Sequence, residues 1–453
     1  MKKEGTTRRA LLEMGALAAV ASVVPGCKKD VDSDTADSGE PWVRPDVPGA
    51  WEPDGEEDLS LFPLGIQSGD PSADGAVCWT QYLGTAALEL QLAGWDGEEW
   101  TTAGTLSCDV ALEGIVHSVV QGLPADGWYS FYFLDSNGAR SRVGRFRTPP
   151  KQGLPVVVFG GLSCTSPRFQ PFPVLSQAAR EDLDFVFLAG DQVYTSRGGI
   201  DVKRSAWESN IGSQGYQELL ASTSIIATWD DHEIANDWGT EPVDEEDVEA
   251  GIAAFHEYTP TRTGAGSPIY RSLRWADSLE IFVLDGRSER NQETGDYLSP
   301  EQFNWFKKAI QGSTAHFKLI LNSVPFADFT DLLGSVQIQD RWGGYPDARQ
   351  AMLDALAGLE NVFFISGDFH MGLVCHVQSE GPGWEFYDIL VGPGGQIPNP
   401  IADLMAPNPQ FPTGVSAPNI TRLVANPRSN TLSVEYLSDE GEVLASIVLP
   451  EVS

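Results

Sequence analysis

The chain has 453 residues, more than one ordinary core accommodates, so two or three domains are expected. Hydrophobic residues make up 42% and aromatics 10%, which excludes a disordered chain. Lys and Arg number 29 against 64 Asp and Glu, a formal net charge of −35. Such a chain repels nucleic acid and anionic membranes at long range and attracts divalent cations.

The N-terminus carries an address. Arg8 and Arg9 are adjacent, an apolar run from Met14 to Val24 follows, and then Pro25-Gly26-Cys27. The run is too short for a permanent membrane span. Residues 1–27 read as a twin-arginine, lipoprotein-type signal. The expected location is periplasmic or cell-surface, anchored by a lipid on Cys27, or soluble after export. No other membrane contact is expected. Residues 28–58 hold eleven acidic residues with several Pro and Gly and no apolar periodicity, which reads as a disordered tether.

From residue 59 to 150 short alternating strands are separated by Gly, Asp-Gly and Asn-Gly turns. AVCWTQYL, AALELQLA, IVHSVVQGL, GWYSFYFLD and SRVGRFRT are the candidates, and their spacing predicts a small β-sandwich. Cys78 and Cys108 both fall within it, and export would permit a disulfide between them. Pro149-Pro150-Lys151-Gln152-Gly153 reads as a linker.

The pattern changes over 151–453. Buried runs such as VVVFGG, FVFLAG, SIIATW, LEIFVLDG, FKLILNSV, VFFISG and FYDILVG alternate with helical stretches, which predicts an α/β layered domain. Ser299-Pro300-Glu301-Gln302 opens the best helix, with a Ser cap, Pro at the first position and Gln three residues after the cap. Segments 196–220 and 326–345 read as loops shaping the pocket. Cys375 reads as buried core.

In such sheets ligands gather at the carboxyl ends of strands. Here those ends repeatedly carry metal-binding residue types: Cys164, Asp191, Tyr194, then Asp230-Asp231-His232-Glu233, then Asp368 and His370. Singly, each is an ordinary turn, core or surface residue. Together they point to a metal site. Thiolate and phenolate suit a redox-type metal such as Fe(III). Carboxylate and amide oxygens suit Ca²⁺, Mg²⁺ or Mn²⁺. Two cations can clamp a phosphate, and a nearby histidine can protonate the leaving oxygen.

GLSC, GDQVY, TWDDHEIAND, FVLDGRSER, YLSPEQFNWF, DRWGGYP and SGDFHMG occur in that order, after FPLGIQSGDPSADGAVCWTQ and GLPADGWYSFYF. In these motifs the chain resembles the PhoD-like alkaline phosphatase/phosphodiesterase family of the metallophosphoesterases, from Phe62 to Leu449. The resemblance implies a four-layer αββα metallophosphoesterase sandwich preceded by a small all-β, fibronectin III-like sandwich. It implies an exported metal-dependent hydrolase of phosphate esters, expected as a monomer, using Fe(III) and one or two Ca²⁺. Cys164, Asp191, Tyr194 and His370 would hold iron. Asp191 would bridge to a calcium completed by Asp231 and Asp368, and Asn236 would assist calcium or phosphate. His232 would be the general acid or a phosphate stabiliser. Asp230 and Glu233 would support the ligands or hold a further calcium. Arg287 would contact phosphate or form a structural salt bridge. Ala235 stands where the family often has a polar residue, which bears on the outermost ion. Two alternatives remain on sequence: a purple acid phosphatase-type enzyme, which would need GNHE where DDHE stands, and a non-enzymatic surface lipoprotein on the same fold. The substrate, and its mono- or diester nature, is left open.

Overall fold

The computed structural model describes residues 46–450 apart from Ser196, Ala265 and Ser335. The export signal, Cys27 and the first part of the tether lie outside the described residues. No helix among the described residues is long and apolar enough to cross a membrane.

The N-terminal unit is a sandwich. Strands Ile66–Ser72, Gly75–Gln81 and Ile115–Val119 form one face, and Leu88–Trp95, Trp100–Cys108, Trp128–Asp135 and Gly144–Arg147 the other. Period-two alternation turns Leu88, Leu90 and Leu92 inward against Phe131, Phe133, Phe146 and Cys78. Cys78 and Cys108 are free thiols, and the Cys108 thiol lies 3.2 Å from the Ser118 hydroxyl.

Two features go beyond what the sequence suggested. The tether is not disordered throughout. Residues 46–58 lie along the sandwich: the Trp100 indole donates to the Gly49 carbonyl at 2.9 Å, and Trp51 packs on Tyr132 with ring centroids 5.1 Å apart. The two units also share a sheet. Strand Ile66–Ser72 runs parallel beside Ser224–Thr228, pairing Gly69 with Ile225. The first sandwich sheet thereby extends the ten-stranded sheet of the larger unit. Arg147 locks the junction. Its buried guanidinium donates to Asp184 at 2.6 Å and Asp126 at 2.7 Å, while Asp184 also accepts from the Val158 amide at 2.9 Å.

The larger unit has four layers. Val157–Thr165, Phe185–Ala189 and Ser224–Thr228 are parallel neighbours in the first sheet. Leu279–Val283, Phe317–Leu321, Val362–Ser366 and Tyr387–Leu390 are parallel neighbours in the second. Both faces of these strands are covered, which is why the runs are continuously apolar. In Phe185–Ala189 the side chains of Phe185 and Phe187 face the second sheet, packing with Trp275, Leu319 and Phe363. Val186 and Leu188 face the outer helices Gly199–Ile211, Gln214–Ser222 and Glu245–Tyr258 through Trp207, Leu219 and Phe255. On the far side, helices Pro300–Gly312 and Pro346–Leu356 cover Phe282, Ile320 and Phe364 with Phe306, Ile310 and Leu353.

The Ser299 cap is formed, its hydroxyl accepting from the Gln302 amide at 3.1 Å. Gln302 does not complete a capping box. Its side chain bonds the backbone of Asp285 at 2.9 and 3.1 Å and Glu289 at 2.6 Å, tying the helix start to the Arg287 loop. The segment 196–220, expected as loop, is largely the two helices Gly199–Ile211 and Gln214–Ser222. Segment 326–345 is a loop with short helical turns, and Cys375 is fully buried.

Candidate metal centre

Four parallel strand ends converge. Val157–Thr165 delivers Cys164, Phe185–Ala189 leads to Asp191 and Tyr194, Ser224–Thr228 leads to Asp230–Glu233, and Val362–Ser366 leads to Asp368 and His370. The glycine of each Gly-Asp pair is required by crowding. A Cβ on Gly190 would stand 2.5 Å from the Asp230 Cβ, and one on Gly367 would stand 2.5 Å from the Ala189 carbonyl oxygen. Cys164, Asp191, Asp368 and His370 all adopt left-handed backbone, with φ of 57°, 56°, 62° and 52°. Each such non-glycine residue costs roughly 1–2 kcal/mol and persists only where its surroundings enforce it.

Three groups of donor atoms form, each within 4.8 Å: Cys164, Asp191 and His370; Asp191, Asp231 and His232; Asp191, Asp230 and Asp368. Asp191 belongs to all three. Its Oδ2 lies 3.7 Å from the Cys164 sulfur and accepts from the Tyr194 hydroxyl at 3.1 Å. That hydroxyl is also 3.2 Å from His370 Nε2. The Asp191 Oδ1 accepts from the His232 amide at 3.3 Å, and the His232 ring packs against Tyr194, tilted by 34° with centroids 4.1 Å apart.

The electrostatics favour a cation. Burial, and then the neighbouring carboxylates, push Asp191 and Asp368 well above the usual carboxylate range. Burial, and then Asp191, push up the Cys164 thiol. Burial, with Cys164 and Asp191 next, raises the Tyr194 phenol. Burial, and then His232, depress His370 to about 4. The Arg287 charge acts on Asp368 but does not offset burial and the neighbouring carboxylates, and buried charges need pairing or a metal. Oxygen, sulfur, phenol and imidazole donors around one shared carboxylate fit two adjacent cations, so the donor set fits the implied metals.

Other expected residues are placed differently. Arg287, expected as a phosphate contact or a structural salt bridge, forms buried ion pairs. It is buried, donates to Asp230 at 2.6 and 2.8 Å and to the Trp238 carbonyl at 3.2 Å, and also pairs with Asp340. Asp230 is therefore held in an ion pair. Burial would raise it, but the Arg287 charge prevails and lowers it. Glu233 is a backbone clamp, accepting from the amides of Gln192 at 2.6 Å, Asp230 at 2.9 Å and Asp191 at 3.2 Å. Burial pushes it up to about 8. Asn236 is exposed and bonded to Asp237.

Sequence reasoning missed Lys203. Its buried ammonium donates to the Ile234 carbonyl and to Thr195 Oγ1 at 3.1 Å, with Asp247 3.8 Å away, pinning the loop that carries His232. A lysine in the second turn of a helix carries no signal of its own. Asp340 was missed too, because only the fold brings segment 326–345 to Arg287.

This four-layer architecture with its strand-end donors is that of a metallophosphoesterase. The chain belongs to the PhoD-like phosphatase family, which it matches over residues 157–399, with the N-terminal domain of that family over 50–150. It is 25% identical over 435 residues to "Alkaline phosphatase D" of Bacillus subtilis (strain 168), covering 78% of this chain and 74% of that one. A solved structure titled "Structure of PhoD" superposes with a TM-score of 0.73 at 21% identity, over 88% of this chain and 90% of the other, which supports the fold. The protein is accordingly a phosphoesterase of the hydrolase class, and its substrate is a phosphate ester.

Proposed function

We propose that this protein is an exported, metal-dependent phosphatase/phosphodiesterase whose centre takes Fe(III) and Ca²⁺. The observation that carries this is Asp191, shared among three donor groups, with sulfur, phenol and imidazole on one side and carboxylates on the other. Cys164, Tyr194 and His370 with Asp191 would hold iron, and Asp191, Asp231 and Asp368 calcium. When bound, the cations supply positive charge for the phosphate oxygens and make water a nucleophile at neutral pH.

The remaining chemistry belongs to the chain. Glu233 fixes the Gly190–Gln192 turn through the amides of Asp191 and Gln192 and ties it to the Asp230 amide, so Asp191 is presented without reorganisation. Arg287 neutralises Asp230 and keeps it out of competition for protons. His232, packed against Tyr194, hands a proton to the leaving alcohol oxygen. A second reading of His232, as a ligand, is favoured by its donor atom lying with those of Asp191 and Asp231.

The test is metal analysis of the purified protein with a panel of phosphate mono- and diesters, comparing wild type with Asp191→Ala. Iron and calcium with hydrolysis, both lost in Asp191→Ala, are expected. A metal-free wild-type protein inert toward every ester would overturn the proposal in favour of a non-enzymatic lipoprotein. Export and anchoring belong to the same proposal. Arg8→Lys with Arg9→Lys should keep the protein in the cytoplasm, and Cys27→Ala should release it from the membrane fraction.

A further inference from the structure

A groove of about 460 Å³ opens beside the metal centre, and Tyr194 forms its inner end. Its two walls continue paired strands. Strand Pro393–Gly395 runs parallel to Val157–Thr165 with Gly395 opposite Thr165, and the Ser166 amide donates to the Gly395 carbonyl at 2.8 Å. Beyond that pairing, Arg168 and Phe169 line one wall and Gln396 and Ile397 the other. The width of the groove is thus set by backbone hydrogen bonds. Gln396 is held too: its Oε1 accepts from the Ile397 amide at 2.9 Å, and it shares the groove lining with Tyr194.

The chemistry of the walls differs from that of the centre. Phe169 offers an apolar surface, and Ile397 is 67% exposed despite its size. Arg168 is exposed and makes no ion pair among the described residues. Its charge is therefore open to a ligand in a chain with 64 acidic and 29 basic residues. Arg147, Arg271 and Arg287 are each paired with aspartate. A phosphate on the strand-end donors would leave this groove for the rest of the ester, and its volume lies in the range that takes a small organic molecule.

Resting on the phosphoesterase reading above, we propose that the groove receives the alcohol portion of the substrate and that Arg168 selects esters whose alcohol portion carries a second anionic group on an apolar or aromatic body. A strongly acidic protein repels an ester with two anionic groups at long range. A guanidinium at the mouth of the site reverses that locally, and its planar fork matches a carboxylate in two hydrogen bonds. Phe169 and Ile397 cover the body between the two anions.

The experiment compares 3-carboxyphenyl phosphate with phenyl phosphate, whose phenols are similarly acidic, using metal-loaded wild type, Arg168→Gln and Arg168→Lys. The observable is the ratio of the two kcat/KM values. Arg168→Gln is expected to lower it on the order of 10-fold, the worth of one charged hydrogen bond, acting through KM. Arg168→Lys should restore part of it. Equal ratios in wild type and Arg168→Gln overturn the proposal. Titration with 3-carboxyphenylphosphonate and phenylphosphonate reads the same preference without turnover. Preserved binding preference with no hydrolysis of either ester sinks the phosphatase reading and leaves the groove assignment standing. Equal affinity of wild type for the two phosphonates sinks the groove assignment.

Discussion

Arg287 and Asp230 form a doubly hydrogen-bonded ion pair, at 2.6 and 2.8 Å, in which both side chains are fully buried. The pair joins the loop after Leu279–Val283 in one sheet to the loop after Ser224–Thr228 in the other, so it bridges the sheets at the metal centre. Removing one partner of such a pair leaves a bare buried charge and costs about 3–5 kcal/mol. Arg287→Ala should therefore lower unfolding stability by about that much, measured by urea titration at neutral pH, and abolish activity. Arg287→Lys should rescue little, because an ammonium cannot donate to both Asp230 oxygens and to Asp340 in one plane. A variant that folds with wild-type stability and only a raised KM would return Arg287 to the role of a phosphate contact.

Cys164 and Tyr194 test the identity of the metal. A phenolate on Fe(III) absorbs visible light, so the iron-loaded protein should be coloured, and Tyr194→Phe should remove the band while Cys164→Ser lowers iron content. Absorption spectra with metal analysis decide it. A colourless protein holding stoichiometric Fe(III), or Cys164→Ser with full iron and full rate, would remove these residues from the ligand set.

Legibility followed the range of the interaction. The strand ends were readable because a strand buried on both faces is a short apolar run, and Cys164, Asp191, Asp230 and Asp368 each follow one closely. Ser299 was readable because its cap is local. What failed was non-local. Strands Ile420–Asn426, Thr431–Leu437 and Val443–Leu449 close the first sheet, yet their half-exposed faces dilute the apolar signal. Nothing near Gly69 announces its pairing with Ile225. Acidic residues 46–58 look like tether, and only the sandwich surface under Trp51 orders them. The Arg287 partners Asp230 and Asp340 were not readable, because they come from segments distant in sequence.

His256 sets an acid limit on stability. It is buried beside Trp229 and Phe255, and burial lowers it from 6.5 to about 4. The unfolded chain takes up a proton near pH 6.5, whereas the folded one resists until about 4. The neutral ring's contribution is therefore fully present above pH 6.5 and lost as pH falls toward 4. The loss amounts to about 3 kcal/mol at one pKa unit per 1.4 kcal/mol. His256→Gln should flatten the stability profile between pH 7 and 4, read from urea midpoints on metal-loaded protein. An unchanged slope would show that His256 does not titrate across this window.

His232 decides between proton donor and ligand. Its ring packs against Tyr194, its amide is tied to Asp191, and its donor atom lies within reach of those of Asp191 and Asp231. Lys203 pins the same loop by gripping the Ile234 carbonyl and Thr195, so the ring is held in place from below. As a proton donor, His232 contributes only while the leaving oxygen needs a proton. General acid catalysis is worth ~10²–10⁴-fold, so His232→Ala should lose about that much rate on alkyl phosphates. On nitrophenyl phosphate the loss should shrink, since nitrophenolate departs unprotonated. Metal content should stay at the wild-type value. Lys203→Met should show the same leaving-group pattern more weakly, because it displaces the ring without deleting it. Equal losses on good and poor leaving groups would remove the proton-donor role. If calcium or iron leaves with the imidazole, His232 joins Asp191 and Asp231 as a ligand, and the proton must reach the alcohol oxygen by another route.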